Sequence, residues 1–152
     1  MDNLEGKDNF KGGNLPANMI KFIGEHHLLT LAATDGDDLW CSHAFYVYLE
    51  EENAFLITSE ERTRHIRLAS KDGIVAGAIA LETKRVGEIR GIQFRSSLER
   101  CDDSIFGAYK LKYLRKYPYA IFKGGDLWLL KLKEAKYTDN RLGFGKKIKW
   151  SI

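Results

Sequence analysis

The stretch LWCSHAFYVYL, Leu39 to Leu49, decides the fold through its alternation. Leu39, Cys41, His43, Phe45, Val47 and Leu49 fall on one face of an extended chain, and Trp40, Ser42, Ala44, Tyr46 and Tyr48 on the other. Large side chains on both faces place such a strand between two packed layers, or between a barrel core and a partner subunit. Turn residues bound it. DGDD at 35–38 separates it from the mostly apolar strand LLTLAAT, and EEEN at 50–53 from a third strand, AFLITS.

Outward from these three strands, PANMIKFIGEHH upstream starts with Pro16 and keeps Met19, Ile20 and Ile23 at helical spacing, which predicts a short amphipathic helix. Downstream, Ile66, Leu68 and Ala69 predict a second helix ending near Gly73. GIVAGAIAL reads as a fourth strand whose Ala and Gly content suits a crowded interior or the approach of a flat ligand. IRGIQFRSSLER alternates as a half-buried fifth strand. DDSIFGAYKLKYLRKYP predicts a third helix, capped by Asp102 or Asp103 and stopped at Pro118. DLWLLKLKEAKYTD is the sixth strand, and GFGKKIKWSI a Gly-flanked tail able to add an edge. The sum is mostly β with peripheral helices: about six antiparallel strands in a barrel with three helices outside it, one domain over 16–152 behind a mobile polar tail at 1–15.

With 152 residues, 44% hydrophobic and 30% charged, the chain is the size of one ordinary domain and is neither disordered nor built from membrane-spanning segments. Its first residues carry no secretory signal, so the cytoplasm is the expected location. Cys41 and Cys101 are too few for a disulfide framework, and Cys41 with His43 gives only two ligands, so no metal site is expected. The formal charge of +3 hides an asymmetry. Residues 1–108 hold 12 Lys+Arg against 18 Asp+Glu, whereas 109–152 hold 12 against 3. That basic third either complements the acidic remainder or binds nucleic acid; no helix-turn-helix, RNP-like or zinc-finger spacing accompanies it, so nucleic acid is not the expected partner.

LITSEERTRHI, Leu56 to Ile66, carries the candidate chemistry. A strand end turning into a helix gathers the hydroxyls of Thr58, Ser59 and Thr63, the guanidinium groups of Arg62 and Arg64, and the free N–H groups of a helix start, which together can hold a phosphate. The same residues also describe a capped, charged helix start whose Glu60 and Glu61 meet the dipole. No Ser-His-Asp, paired-carboxylate or P-loop pattern competes.

The order of these elements, with a third strand ending in T-x-x-x-x-x-[KR], resembles the split barrel of the pyridoxamine 5'-phosphate oxidase-related FMN-binding proteins over about residues 16 to 150. The islands LWCSHAFY, TRH, RGIQF and TDNRLGFGKK resemble a small uncharacterised bacterial family within that group. The resemblance implies an FMN site at a homodimer interface, its phosphate held after the third strand. Thr58 stands at the family's threonine and Arg64 at its lysine, while Arg62 and Thr63 exchange the family's serine and arginine. Departures exclude an authentic pyridoxamine phosphate oxidase. The 39–49 strand lacks the family's basic residues, Gly91 replaces the cofactor-binding glutamine although Gln93 lies on the same face, and of the terminal R-L-H only Arg141 and Leu142 remain before Gly143. Trp40, Phe45, Trp128 and Phe144 are candidate aromatic walls and His43 a candidate proton donor. Two functions follow: a flavin-dependent oxidoreductase acting on an unidentified small molecule, or a protein that holds FMN, haem or another flat cofactor without turnover.

Overall fold

The computed structural model describes residues 8–122 and 125–152. Among them nine strands form one sheet: β1 (Asn9–Lys11), β2 (Leu28–Thr34), β3 (Leu39–Phe45), β4 (Val47–Leu49), β5 (Ala54–Ser59), β6 (Ile74–Ala80), β7 (Arg90–Arg100), β8 (Asp126–Asp139) and β9 (Lys147–Ser151). Three α-helices accompany them, α1 (Ala17–Glu25), α2 (Arg64–Asp72) and α3 (Asp103–Lys116). The sheet closes on itself. β2 pairs with β3 and β6, β6 with β7, β7 with β8, β8 with β5, and β5 with β4, which continues β3. This ring is the six-stranded barrel expected from sequence, with β3 and β4 as two segments of the 39–49 strand.

The barrel is split at two places with identifiable causes. On β8, Arg95 opposes Glu134 while the next residue of β7, Ser96, opposes Leu132, leaving Lys133 as a bulge. Before the bulge β8 pairs with β5, and beyond it with β9. On the 39–49 strand, pairing passes from β2 to β5 at Tyr46. The freed Tyr46 carbonyl accepts from the Tyr117 hydroxyl at 2.6 Å and from Lys116 Nζ at 3.0 Å, so the end of α3 satisfies the break. Burial pushes the Tyr117 phenol up to about 12, keeping it a hydroxyl donor at neutral pH.

Two apolar clusters follow from the alternation. Leu29, Leu31, Phe55, Ile57, Val75, Phe94, Trp128 and Leu130 fill the barrel, together with Met19, Phe22 and Ile23 of α1 and Ile66 and Ala69 of α2. Leu49, Ala54, Leu56, Leu127 and Leu129 instead lie under α3, against Tyr113, Phe106 and Tyr109. The double-faced 39–49 strand is thereby resolved. Its second half lies between barrel and helix, whereas the outward residues Leu39 and Phe45 of the first half remain 66% and 49% exposed.

The N-terminal segment departs from expectation. Residues 1–7 of the expected mobile tail lie outside the described residues. Asn9–Lys11 are not free but pair in parallel with Lys149–Ser151. Gly12 N donates to Ser151 O, and Trp150 Nε1 to Gly12 O. Backbone pairing to an exposed edge, rather than side-chain periodicity, holds this strand.

Candidate functional site

At the junction of β5 and α2 the strand alternation separates two hydroxyls. Thr58 opposes Leu127 on the α3 side, whereas Ser59 points with Ile57 and Trp128. Thr58 Oγ1 abuts Gly125, where a β-carbon would stand 3.0 Å away. Ser59 instead joins Thr63 and His65. Ser59 Oγ lies 2.9 Å from His65 Nε2 and 3.3 Å from Thr63 Oγ1, and Thr63 Oγ1 lies 3.3 Å from the same ring nitrogen. Trp128 fixes the cluster from within by donating Nε1 to Ser59 O at 2.9 Å. Thr63 is the N-cap of α2 and its side chain caps nothing there, donating instead to Glu60 O at 2.9 Å. No side-chain cap therefore takes up the first-turn N–H groups of α2, which start beside two hydroxyls and an imidazole.

Burial holds the His65 pKa below the ordinary histidine value. A depressed pKa means that the folded state binds fewer protons than the unfolded chain, so this contribution is complete above pH 6.5 and is lost as pH falls through that value toward the folded pKa. We expect the melting temperature to decline between pH 7.5 and 5 more steeply in wild type than in His65→Gln, measured by circular dichroism. Parallel profiles would show that His65 protonates freely in the fold.

Both arginines are engaged. Arg62 donates Nε to Glu60 at 2.7 Å and is otherwise bathed in solvent. Arg64 forks onto Asp38 in the β2–β3 turn, Nε to Oδ2 at 2.8 Å and a terminal nitrogen to Oδ1 at 2.6 Å, with its guanidinium 4.0 Å from the centre of the Trp40 ring. These hydrogen bonds hold the Asp38 carboxyl below its usual range. Glu61, the second acid of the stretch, pairs with Arg100 at 3.5 Å. Asp38 and His65 were absent from the residues singled out by sequence. His65 lies two residues from Thr63 and could have been included on chemistry alone; Asp38 is 26 residues from Arg64 and only folding joins them.

Phe45 and Gln93 are not part of this junction in one chain. Trp40 and Phe45 are five residues apart along one strand, about 17 Å. Phe45 is held at its own end by stacking with His27, ring centres 5.8 Å apart, and by Tyr117 at 5.3 Å. Gln93 lies on the outer face of the sheet, in a transverse row that runs His43, Thr30, Ala78, Gln93, Lys136, Lys149. The outer face of β2, β3 and β6 is flat and apolar, with Ala32, Ala76 and Ala78 at its middle and Leu28, Leu39, Phe45 and Ile74 exposed around them. His43 stands on this face, Nδ1 3.1 Å from Thr30 Oγ1. Trp128 is buried and backs the junction from inside, while Phe144 is 82% exposed. Arg141 forks onto the buried Asp139, at 3.0 and 2.8 Å, which holds the Asp139 carboxyl below its usual range.

No protein-family model matches the chain. It is 39% identical over 130 residues to a UPF0306 protein of Cronobacter sakazakii, spanning 86% of this chain and 90% of that one. Its fold is similar to that of a heme binding protein from Mycobacterium smegmatis, with a TM-score of 0.70 at 17% identity; 85% of this chain corresponds to 54% of that longer one. A FAD-binding protein from Mesorhizobium loti matches with a TM-score of 0.64 at 11% identity over 80% of this chain and 91% of that one. A candidate pyridoxamine 5'-phosphate oxidase from Listeria innocua matches with a TM-score of 0.63 at 10% identity over 79% and 94%. The fold is therefore the split barrel of the pyridoxamine 5'-phosphate oxidase type. No described helix is long and apolar enough to cross a membrane.

Proposed function

The chain belongs to the UPF0306 family, and from that premise we propose that it is an FMN-binding protein that assembles as a homodimer. The observation carrying this reading is the convergence of Ser59, Thr63 and His65 on the start of α2. A phosphate dianion there would accept from the Ser59 hydroxyl, from the imidazole, from helix N–H groups and from Arg62 or Arg64, and from Thr63 once its hydroxyl turns from Glu60 O. A flavin ring also needs a flat apolar wall, and the outer face around Ala32, Ala76 and Ala78 offers one. Because that face and the junction belong to different parts of the barrel, a second copy completes the site, which also covers Leu28, Leu39, Phe45 and Ile74. The similar fold of a FAD-binding protein supports the reading.

Bound FMN would supply electron and hydride transfer. The side chains of this junction serve to hold and orient it. Titration with FMN and with riboflavin, followed by flavin fluorescence, tests the phosphate site: FMN is expected to bind at least about tenfold more tightly. Equal affinities would remove the junction from the site. Sedimentation at micromolar concentration is expected to give a dimer, and a monomer would count against the composite site. Bleaching of the flavin by NAD(P)H would mark an oxidoreductase; a bound flavin that no reductant turns over would mark a holding protein.

One observation favours haem as a second reading. His43 projects from the outer face with Nδ1 engaged by Thr30, so its other ring nitrogen would be the one to hold a haem iron. The similar fold of a heme binding protein is consistent with it. A Soret band on haem addition, lost in His43→Ala while FMN binding persists, would support haem.

A further inference from the structure

A concavity that meets the proposed flavin wall at Ala76 is left by the flavin reading without a role of its own. On the outer face of β7, β8, β9 and β1 lies a basin of about 750 Å³. Two transverse rows form its floor: Gln93, Lys136, Lys149, Asn9 and, one step along the strands, Arg95, Glu134, Ser151, Lys11. Four cations and one carboxylate thus line it, and Glu134 is spoken for by Arg95 at 3.6 Å.

Part of the charge of the basic C-terminal third is answered within the fold. Lys112 pairs with Glu51, Lys131 with Glu99 and Arg141 with Asp139, while Lys116 donates to the Tyr46 carbonyl. Lys11, Lys136 and Lys149 have no acidic partner among the described residues. Moreover Lys136 and Lys149 are direct cross-strand partners. Like charges so placed, with β-carbons about 5 Å apart, oppose folding. A concave site that sets two lysines face to face, with its one carboxylate already paired to Arg95, holds them ready for an anion.

We propose that this basin binds a small multivalent anion, a phosphorylated or polycarboxylate molecule with at least two negative groups. One group lies between Lys136 and Lys149. The second lies toward Lys11, whose cross-strand partner Ser151 is two residues from Lys149, about 7 Å along β9. Lysine suits this ligand because an ammonium acts as a point charge without requiring a planar partner. Gln93, at the edge toward the Ala face, adds an uncharged donor and acceptor. The tail segment thereby gains a purpose, since β1 contributes Lys11. The inference does not rest on flavin binding.

Pyrophosphate is the probe, titrated calorimetrically into flavin-free protein at a constant ionic strength of about 0.15 M. Saturable binding is expected, at least about tenfold tighter than that of inorganic phosphate. Citrate in a parallel arm separates the sources: tighter binding of pyrophosphate indicates a phosphorylated ligand, tighter binding of citrate a polycarboxylate. Lys136→Gln and Lys149→Gln are each expected to weaken the preferred anion about tenfold without lowering the melting temperature of the free protein. Lys133→Gln, the same charge change on the β8 bulge, and Ser59→Ala, at the other candidate anion site, should leave binding within about twofold. Absence of saturable binding of either anion would overturn the proposal. So would equal loss in Lys133→Gln, which indicates diffuse charge, or loss in Ser59→Ala alone, which indicates the α2 junction. Dissociation of a dimer by Lys136→Gln in the absence of anion would also overturn it, because the lysines would then face a second copy.

Discussion

Gly77→Ala is expected to destabilise the barrel by about 1–3 kcal/mol, at the upper end of that range, although alanine is ordinarily the better strand residue. Gly77 opposes Phe94 across β6 and β7, facing the interior. A β-carbon there would stand 2.2 Å from Cζ of the Phe94 ring. The ring cannot retreat freely, because Phe94 is buried and its centre lies 4.9 Å from that of Phe55. The effect is steric and does not come from backbone conformation, since Gly77 is not among the glycines with positive φ. Shrinking the neighbour should relieve it. Phe94→Leu in the Gly77→Ala background is expected to cost less than the two single changes added together, a coupling readable in urea unfolding. Ala76, one residue earlier, faces outward, and Ala76→Gly should cost only the strand penalty of glycine, about 0.5–1 kcal/mol. Additive costs for the Gly77 and Phe94 changes would mean that the ring does not lie over the glycine.

The Gly77 pair shows where sequence is readable and where it is not. Alternation gave the barrel strands because each has an inward face, and the run GIVAGAIAL suited either a crowded interior or a flat ligand. The fold divides those alternatives by face: Gly77 meets a crowded interior, while Ala76 and Ala78 make the flat exterior. β1 was illegible because its pairing with β9 is made by backbone groups, which NFK shares with many polar segments. At the candidate site, the proximity of Thr63 and His65 to Ser59 was local and therefore legible. The divergence of Thr58 from Ser59 follows from strand alternation continuing to the last residue of β5, whereas the sequence reading let the turn gather both hydroxyls. The tie of Arg64 to Asp38 and Trp40 depends on where α2 packs, a tertiary fact with no local signature.

That tie sets the second large effect. If the junction holds the FMN phosphate, Arg64→Ala should weaken FMN by one to two orders of magnitude, the scale of one charge-assisted contact. Riboflavin, lacking the phosphate, should change much less. Folding should be little affected, since the Arg64–Asp38 pair is 43% and 42% exposed and screened by solvent. Asp38 supplies the counter-experiment. Both of its carboxylate oxygens now accept from Arg64, so a phosphate must compete with them or share the guanidinium. Asp38→Asn keeps the shape of the turn while removing the competing charge, and is expected to tighten FMN several-fold with riboflavin unchanged. Opposite shifts in the two variants, confined to the phosphorylated ligand, would assign Arg64 to the phosphate. A lowered melting temperature in both variants with FMN affinity unchanged would make the fork a strut between α2 and the β2–β3 turn. The phosphate would then have to be held by Ser59, Thr63, His65 and the helix start without Arg64, and the Ser59→Ala variant would become the decisive loss.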